Sequence, residues 1–297
     1  MDAGKRAPKK GFTMTKTFLA LDCNYLCHRA YHAMNASGVD FDGMGATFGF
    51  LRDIAIFQEM FNTTNTVFCW DYGKGLREQH TPSYKASRRA RHEALPEEEQ
   101  EALSNFHIQV DALREEYLSE IGFSNIFYQE GYEADDMIAS VCNSLPKECD
   151  IVMVSSDQDL YQLLSKRVVM FNPHKKKTFT DKWFFQTYGL APPCWADVKA
   201  LAGCATDDVA GVRGIGEITA CKLLRGEMLG SESWKKFKAF DRKTNLRLVE
   251  LPYEGTQTFV PKEDTVTQKK WNLLCYKLGL ETIQRNAPSG TKKGFGL

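Results

Sequence analysis

Four short apolar segments, each rich in strand-forming residues, constrain the fold of this chain most. They occupy residues 18–21, 66–70, 125–128 and 151–154. The stretches between them, such as 45–61 and 134–145, carry apolar residues at the spacing of a helix. Strands that alternate with helices are typical of a parallel sheet covered by helices. We therefore expect an α/β fold with a mainly parallel sheet.

Acidic residues follow each of these four segments. The first segment runs into Asp22 and the second into Asp71. The acids after the other two segments are Glu133, Asp135, Asp136, Asp157 and Asp159. Because the carboxyl ends of parallel strands meet at one edge of a sheet, the sequence predicts a crevice lined by carboxylates. A single Asp after a strand is often a helix cap, but many like charges in one crevice are unfavourable unless cations neutralise them.

The chemistry of these acids indicates which cation they would hold. They are hard oxygen ligands, with no clustered histidine and no C-x-x-C pair nearby. Such a ligand set favours Mg²⁺ or Mn²⁺ over zinc. Two groups of acids predict two ions, and such pairs activate a water and stabilise the leaving oxygen in phosphodiester cleavage.

Charge is unevenly distributed, although 38 Lys and Arg balance 38 Asp and Glu over 297 residues. Residues 74–92 form a basic stretch with six Lys and Arg against one Glu and contain Tyr84, whereas residues 93–120 carry nine acids against one Arg, and the α/β pattern fails between 72 and 96. The basic residues of the stretch include Arg77, Lys85, Arg88 and Arg89. Lys and Arg beside an aromatic ring suit single-stranded nucleic acid, whereas a solvated charged loop is the alternative. The odd number of cysteines, nine, argues against a disulfide scaffold and fits a reducing cytoplasm.

A glycine-rich turn at residues 211–216 precedes a predicted helix at 217–224, and Asp207 and Asp208 precede the turn. Small residues before a helix start let backbone amides approach a phosphate. The pattern is either a tight turn or a helix-hairpin-helix that holds a nucleic-acid backbone without reading its sequence.

Several motifs in order resemble one nuclease family. They are Leu21-Asp22, His28 to Ala33, Trp70-Asp71, Tyr84 to Arg88, Gly131 to Asp136, Ser156 to Asp159, and Asp207 with Gly211 to Gly216. From about residue 18 to 224, and more faintly at 271–283, the chain resembles the 5′-nuclease domain of bacterial DNA polymerase I and the phage flap endonucleases. The resemblance implies a 5′-3′ exonuclease or flap endonuclease with a PIN-like sheet, a helical arch and a helix-hairpin-helix.

The resemblance also implies roles for individual residues. Asp22, Asp71, Glu133 and Asp135, with Asp136 beside them, would hold a first divalent ion, and Asp157, Asp159 and Asp207 a second. Lys85 and Arg88 would contact the scissile phosphate. The remaining nucleic-acid contacts would come from Arg29, Arg77, Tyr84, Arg89, Gly214, Gly216 and Lys222. The hairpin would hold duplex DNA with a bound K⁺.

Three departures from the family pattern bear on these roles. Cys204 stands where the family usually has Asp, and a thiol is a poor Mg²⁺ ligand. The second ion is therefore expected to bind more weakly, or Asp208 to assist. Ile218 stands where the family often has Lys, and Lys222 lies one turn on. Residues 227–264 do not match the family pattern, and alternating runs between 245 and 260 predict a β-hairpin.

The predicted organisation has four parts. Residues 1–16 form a disordered basic tail, 17–182 the nuclease domain with its arch at about 73–100, 183–284 the helix-hairpin-helix subdomain, and 285–297 a second tail. We expect a monomer in the cytoplasm, the host's if the chain is phage-encoded, with no membrane segment. Its substrate would be DNA with a 5′ flap or a 5′ single-stranded end, or an RNA-primer hybrid.

Three other functions remain open at this stage. A PIN-like ribonuclease shares the acidic sheet edge but usually lacks the hairpin and the basic arch. A phosphotransferase with an Asp nucleophile typically needs a second acid two residues after the first, where this chain has Asn24. A flap-binding module without catalysis is suggested by Cys204.

Overall fold

The computed structural model describes residues 16–37 and 43–287. Almost all of the predicted N-terminal tail lies outside the described residues, and so does most of the C-terminal one. No helix of the described ranges combines the length and the apolar character that crossing a membrane requires.

A six-stranded sheet forms the centre of the molecule, in the order β3-β2-β1-β4-β5-β6. Its strands are β1 Thr17–Asp22, β2 Asn65–Cys69, β3 Ile126–Phe127, β4 Asp150–Val154, β5 Val168–Asn172 and β6 Lys177–Phe179. The first five are parallel, and β6 runs antiparallel to β5. The predicted mainly parallel sheet is confirmed, and two strands that the sequence reading did not predict extend one edge.

The register of the sheet brings the acidic strand ends together. Asp22 at the end of β1 pairs in register with Cys69 at the end of β2, two residues before Asp71. On the other side, Leu21 pairs with Val154 at the end of β4. The acids that follow these strands therefore start from adjacent points on one edge of the sheet.

Thirteen α-helices surround the sheet and its extensions within the described residues. They are α1 Cys23–Ser37, α2 Gly45–Met60, α3 Leu76–His80, α4 Ala86–Glu93, α5 Glu97–Ala112, α6 Leu118–Ile121, α7 Ala134–Ser144, α8 Asp181–Tyr188, α9 Trp195–Ala202, α10 Glu217–Leu224, α11 Glu232–Ala239, α12 Lys243–Val249 and α13 Gln268–Lys277. A short hairpin, β7 Gly203–Cys204 and β8 Val209–Ala210, lies between α9 and α10. The basic stretch predicted to be an arch is helical, since it contains α3 and α4.

Alternation along the strands produces two apolar cores, one on each face of the sheet. Phe18 and Ala20 belong to a core with α7, α9 and α10. Leu19 and Leu21 belong to the other core, with α1, α2, α5 and α13. Trp271 of α13 is fully buried in that second core, so the end of the described chain packs against its beginning.

The predicted β-hairpin between residues 245 and 260 is wrong. The structure has helix α12 there, followed by turns and extended chain. Side chains from distant segments hold the end of this helix: Arg77 Nε donates to the carbonyl of Leu248 at 3.0 Å, and Gln162 Nε2 donates to that of Val249 at 3.0 Å. Apolar residues alternating over so few positions fit a helix as well as a strand, and these tertiary contacts favour the helix.

Candidate active site

A cavity of about 310 Å³ lies at the carboxyl end of β1, β2 and β4. Seven of the eight predicted metal-ligand carboxylates line it: Asp22, Asp71, Glu133, Asp135, Asp157, Asp159 and Asp207. Lys85 and Arg88 of the predicted arch line the same cavity. The structure therefore brings together residues that are up to 185 positions apart in the sequence.

Asp22, which ends β1, is the most buried of the acids that line the cavity. Its side chain is buried, and it accepts hydrogen bonds from the Ser155 hydroxyl at 2.6 Å and the Tyr25 backbone N–H at 3.1 Å. Burial raises the pKa of Asp22 to about 7, and the neighbouring charge of Asp71 acts in the same direction. Its carboxylate is thus fixed in orientation and destabilised as an anion.

Asp71 connects β2 to the start of two helices. Its carboxylate accepts the backbone N–H of Ala134 at 2.6 Å, at the beginning of α7. Its own backbone N–H donates to the Asn24 side chain at 3.0 Å, in the first turn of α1. These bonds hold the acidic ends of β1 and β2 in one arrangement.

Glu133 is the N-cap of α7, in a reciprocal capping box with Asp136. The ammonium of Lys85 forms an ion pair with the Glu133 carboxylate, and the Tyr84 hydroxyl donates to it at 3.2 Å. Burial alone would raise the pKa of Glu133, but the positive charges of Lys85 and Arg77 lower it. The cation predicted to contact a phosphate therefore pairs here with a predicted metal ligand.

Three further acids complete the wall formed by α7 and the segment after β4. Burial, with repulsion from Asp157, raises the pKa of Asp135 well above its usual range. The same two causes raise the pKa of Asp159 to about 6, although Lys199 opposes them. Lys199 of α9 is buried with its Nζ 3.2 Å from Asp159 Oδ1 and 3.8 Å from Glu217 Oε1, at the start of α10.

Asp136 and Arg77 differ from their predicted roles. Asp136 is fully buried, and its carboxylate accepts two bonds from the Arg77 guanidinium at 2.6 and 2.8 Å. It also accepts the backbone N–H groups of Glu133 and Tyr253, at 3.1 and 2.8 Å. The Arg77 side chain is 3% exposed and forms an interior ion pair with Asp136. This differs from the surface contact with DNA that the sequence predicted. The Asp136 carboxylate and the Arg77 guanidinium are thus paired with each other at the wall of the cavity.

Three other residues predicted to contact nucleic acid, Tyr84, Arg89 and Arg29, already make contacts within the protein. Tyr84 is 4% exposed, which leaves its ring no open face for a stacked base. Arg89 donates to the carbonyls of Tyr84 and Pro82, each at 2.7 Å, and pairs with Glu78. Arg29 pairs with Asp53, and a third of its side chain remains exposed.

Arg88 and Lys85 sit at the start of α4, against the loop that carries Asp207. Arg88 Nη2 is 3.4 Å from Asp207 Oδ1, and about half of its side chain is exposed. Lys85 adopts a left-handed conformation with φ +53°, and its backbone N–H donates to the Asp207 carbonyl at 2.9 Å. The two arch cations therefore depend on this loop for their position.

Cys204 and Asp208, the two residues at the uncertain second-ion position, have separate roles. The Cys204 Sγ lies 3.2 Å from Asp207 Oδ2 and 3.0 Å from the Thr206 hydroxyl. Burial raises the pKa of its thiol, which favours the protonated form. Asp208 Oδ2 accepts the backbone N–H of Ser87 at 2.8 Å. Its carboxylate therefore binds the start of helix α4, which differs from the expected role beside the second ion.

The glycine-rich turn at residues 211–216 precedes α10, and Arg213, Gly214 and Gly216 in it are exposed. Gly214 adopts φ +84°, a region that disfavours side chains, and a Cβ at Gly214 or Gly216 would meet no atom within 4 Å. Gly211 is a close-approach position, because a Cβ there would lie 2.2 Å from the Ala202 carbonyl carbon. Lys222 of α10 is exposed on the following helix. The short hairpin of β7 and β8 and then the glycine turn connect α9 to α10, and the helix-hairpin-helix with its DNA-binding role stays a prediction.

The donor chemistry of the cavity fits hard divalent cations, because the acids lining it offer carboxylate oxygens. Burial raises the pKa values of Asp22, Asp71, Asp135, Asp157 and Asp159, and repulsion between neighbouring carboxylates acts in the same direction, whereas Lys85 and Arg77 lower that of Glu133. Among the described residues, no three carboxylate, histidine or cysteine side chains converge as one metal-binding group. Lys85 and Arg88 instead pair with Glu133 and Asp207.

Sequence reasoning missed three residues that organise this cavity. Ser155 directly follows β4 and Asn24 lies two residues after Asp22, so their place at a strand end was a usable signal. Lys199 gave no such signal, because it lies inside helix α9 and meets Asp159 only through the fold.

Comparison with known proteins shows which families this chain is similar to. Residues 17–189 match the family model described as 5′-3′ exonuclease, N-terminal resolvase-like domain. The 5′-3′ exonuclease of Bacillus subtilis is 35% identical over 220 residues, which are 70% of this chain and 69% of that protein. The thermostable DNA polymerase I of Thermus thermophilus is 31% identical over 211 residues, 70% of this chain but only 24% of the polymerase.

A solved structure shares the fold. The flap endonuclease of bacteriophage T5, in a pseudo-enzyme-product complex with DNA and metal ions, matches with a TM-score of 0.68 at 20% identity. The match covers 91% of this chain and 97% of that one.

Proposed function

The chain belongs to the 5′-3′ exonuclease family, and on that premise we propose that it hydrolyses DNA phosphodiesters near junctions between single strand and duplex. The observation that carries this proposal is the cavity in which six carboxylates that end or follow four strands, together with Asp207 of the loop between α9 and α10, meet the arch cations Lys85 and Arg88. Such a cavity suits a reaction at a phosphate, where negative charge must be both tolerated and neutralised.

The carboxylates divide into two sets around the cavity. Asp22, Asp71, Glu133 and Asp135 would hold one Mg²⁺ or Mn²⁺, and Asp157, Asp159 and Asp207 a second. In phosphodiester cleavage such a pair of cations supplies an activated water and stabilises the leaving oxygen. Ser155, Asn24 and Lys199 keep these carboxylates in place through the hydrogen bonds and ion pair described above. Asp136 is left out of both sets because Arg77 engages it.

Lys85 and Arg88 are the groups that would meet the scissile phosphate. Each can exchange its carboxylate partner for a phosphate oxygen, which keeps the cation paired and adds a charge-assisted bond to the substrate. Cleavage of the bond to the 3′-oxygen then leaves the 5′-phosphate on the shortened strand. The matched family and the phage T5 enzyme, whose complex contains DNA and metal ions, support this assignment.

The surroundings of the cavity suggest how a junction is held. The open turn at Gly214 and Gly216, followed by Lys222, would bind the duplex backbone, with a K⁺ at the turn. The predicted arch at about 73–100 would receive the single-stranded 5′ end, and Arg29 would contact a nearby phosphate. We propose a monomer that acts in phage DNA replication or repair, in the cytoplasm, the host's if the chain is phage-encoded, on DNA flaps and on RNA-primer hybrids.

A duplex with a 5′ flap labelled at its 5′ end tests this proposal. The protein is incubated with this DNA substrate in Mg²⁺, in Mn²⁺ and in EDTA. In parallel reactions the substrate is an RNA duplex with an RNA flap of the same sequence. Cleavage at the DNA junction that EDTA abolishes is the expected result. Faster cleavage of the RNA structure would instead support a PIN-like ribonuclease, and tight binding without cleavage in any metal would support a binding module.

A further inference from the structure

A second cavity, of about 610 Å³, lies between α3 and α12 beside the acidic one. The residues that matter for its chemistry are His80, Tyr132, Tyr253, Arg247 and Glu254. Leu248 lines both cavities, so the two adjoin. Its volume lies within the range typical of sites for small organic ligands.

Aromatic rings of fixed orientation form one wall of this cavity. His80 Nδ1 lies 2.7 Å from the Tyr253 hydroxyl, and the two rings are stacked at 29° with centroids 6.3 Å apart. Tyr132 meets the Tyr253 ring edge-on, at 6.2 Å. The Arg77 guanidinium lies 4.6 Å from the centre of the Tyr253 ring and holds it from the protein side. Rigid aromatic rings in a cleft are the surfaces on which unpaired bases stack.

The charges in the cavity favour a nucleotide over a bare phosphate. Arg247 is exposed, and within residues 16–37 and 43–287 its guanidinium has no ion pair with a carboxylate. Glu254 also lines the cavity and is exposed. Its carboxylate would repel a lone anion but can accept a hydrogen bond from the amino group of a base. The cation and the acid therefore suit a ligand that has a phosphate at one end and a base at the other.

We propose that this cavity binds one nucleotide of the single-stranded 5′ segment of the substrate. Its base would stack on the His80–Tyr253 pair, and its phosphate would contact Arg247. A paired base inside a duplex cannot enter a cavity, whereas an unpaired one can. His80 belongs to α3, the first helix of the basic segment that would receive the 5′ end. The inference rests on the proposed function, because it assigns part of the same substrate to a second site.

The test measures substrate binding in EDTA, where we expect no cleavage. A flap duplex carrying 2-aminopurine at the first, second or third flap position is titrated with protein in EDTA, and its fluorescence reports stacking of that base. At one of these positions the natural protein should change the fluorescence. Arg247→Ala and His80→Ala should lose that change and weaken flap binding about fivefold or more, the size of one stacked base. Arg247→Lys should keep most of the effect.

Controls separate this inference from the proposed function. Arg285→Ala removes an exposed arginine of the C-terminal 3₁₀ helix and should bind like the natural protein. Binding to a nicked duplex without a flap should be the same for all variants. If the DNA is never cut but the fluorescence response depends on His80 and Arg247, the nucleotide site stands while the nuclease proposal fails. If cleavage is normal and all variants give the same fluorescence, or if flapless duplex loses binding equally, the nucleotide site is wrong.

Discussion

Asp208 Oδ2 accepts the backbone N–H of Ser87 at 2.8 Å, so a carboxylate from the loop between α9 and α10 caps helix α4. No side chain at the N-cap position of α4 provides such a bond. The adjacent Asp207 carbonyl accepts the N–H of Lys85 at 2.9 Å. The loop that carries a predicted metal ligand thereby holds the first turn of the helix that carries Lys85 and Arg88.

Removing this cap should slow cleavage without weakening duplex binding. Asp208→Ala leaves the Ser87 N–H without its partner and loosens the start of α4, so kcat should fall roughly fivefold. Asp208→Asn keeps an acceptor oxygen and should restore most of the rate. Single-turnover cleavage of a saturating flap substrate measures both. Equal rates for the Ala and Asn variants and the natural protein would contradict a capping role.

The Arg77–Asp136 pair predicts a loss of stability and not only of activity. Arg77→Ala would leave the Asp136 carboxylate buried without its partner, which costs about 3–5 kcal/mol in the free energy of unfolding. Urea unfolding followed by circular dichroism measures this. The double variant Arg77→Met/Asp136→Leu should recover part of the loss, because no unpaired charge remains. A stable Arg77→Ala protein with weak DNA binding would restore the surface role predicted from sequence.

Lys85 should matter for the chemical step. Lys85→Ala removes the cation that we propose neutralises charge developing on the phosphate, so kcat should fall about a hundredfold. Lys74→Ala provides a matched control, because Lys74 is exposed in the same basic segment and does not line the acidic cavity. Flap cleavage under single-turnover conditions separates the two. Similar losses in both variants would mean that Lys85 acts only through general charge.

Cys204 should limit the response to Mg²⁺. Cys204→Asp places a hard oxygen beside Asp207, so the Mg²⁺ concentration that gives half-maximal cleavage should fall about tenfold, the scale of changes next to metal ligands. Mn²⁺ binding followed by electron paramagnetic resonance gives a readout independent of cleavage. Cys204→Ser, which adds a neutral oxygen, serves as the comparison. An unchanged metal response in Cys204→Asp would remove Cys204 from the second site.

The sequence predicted the centre of the fold and most of the acidic cavity. Short apolar runs rich in strand-forming residues identified β1, β2 and β4, and acids end or follow each of these strands within a few residues. Strands β5 and β6 were not predicted. Only a 3₁₀ turn separates β4 from β5, and no helix separates β5 from β6, so the alternation of strands with α-helices ends there.

Long-range pairing is the part that the sequence did not reveal. A basic residue in a basic segment has the same local pattern whether it faces DNA or, like Arg77, is buried against an acid 59 positions away. The same limit applies to Asp208, which sits among predicted ligands but caps a helix far away in the chain. Periodicity describes single elements, whereas these roles depend on how elements meet.

Cleavage by a variant of the two acids that end β1 and β2 tests the central claim most directly. Asp22→Asn/Asp71→Asn removes two negative charges from the cavity and keeps the side-chain shape, while Asp181→Asn/Glu263→Gln changes two acids outside it. With a labelled 5′-flap duplex in Mg²⁺, the first variant should bind the substrate with unchanged or higher affinity and lose all measurable cleavage. The second should cleave normally. Full cleavage by Asp22→Asn/Asp71→Asn would show that the acidic strand ends are not the catalytic site.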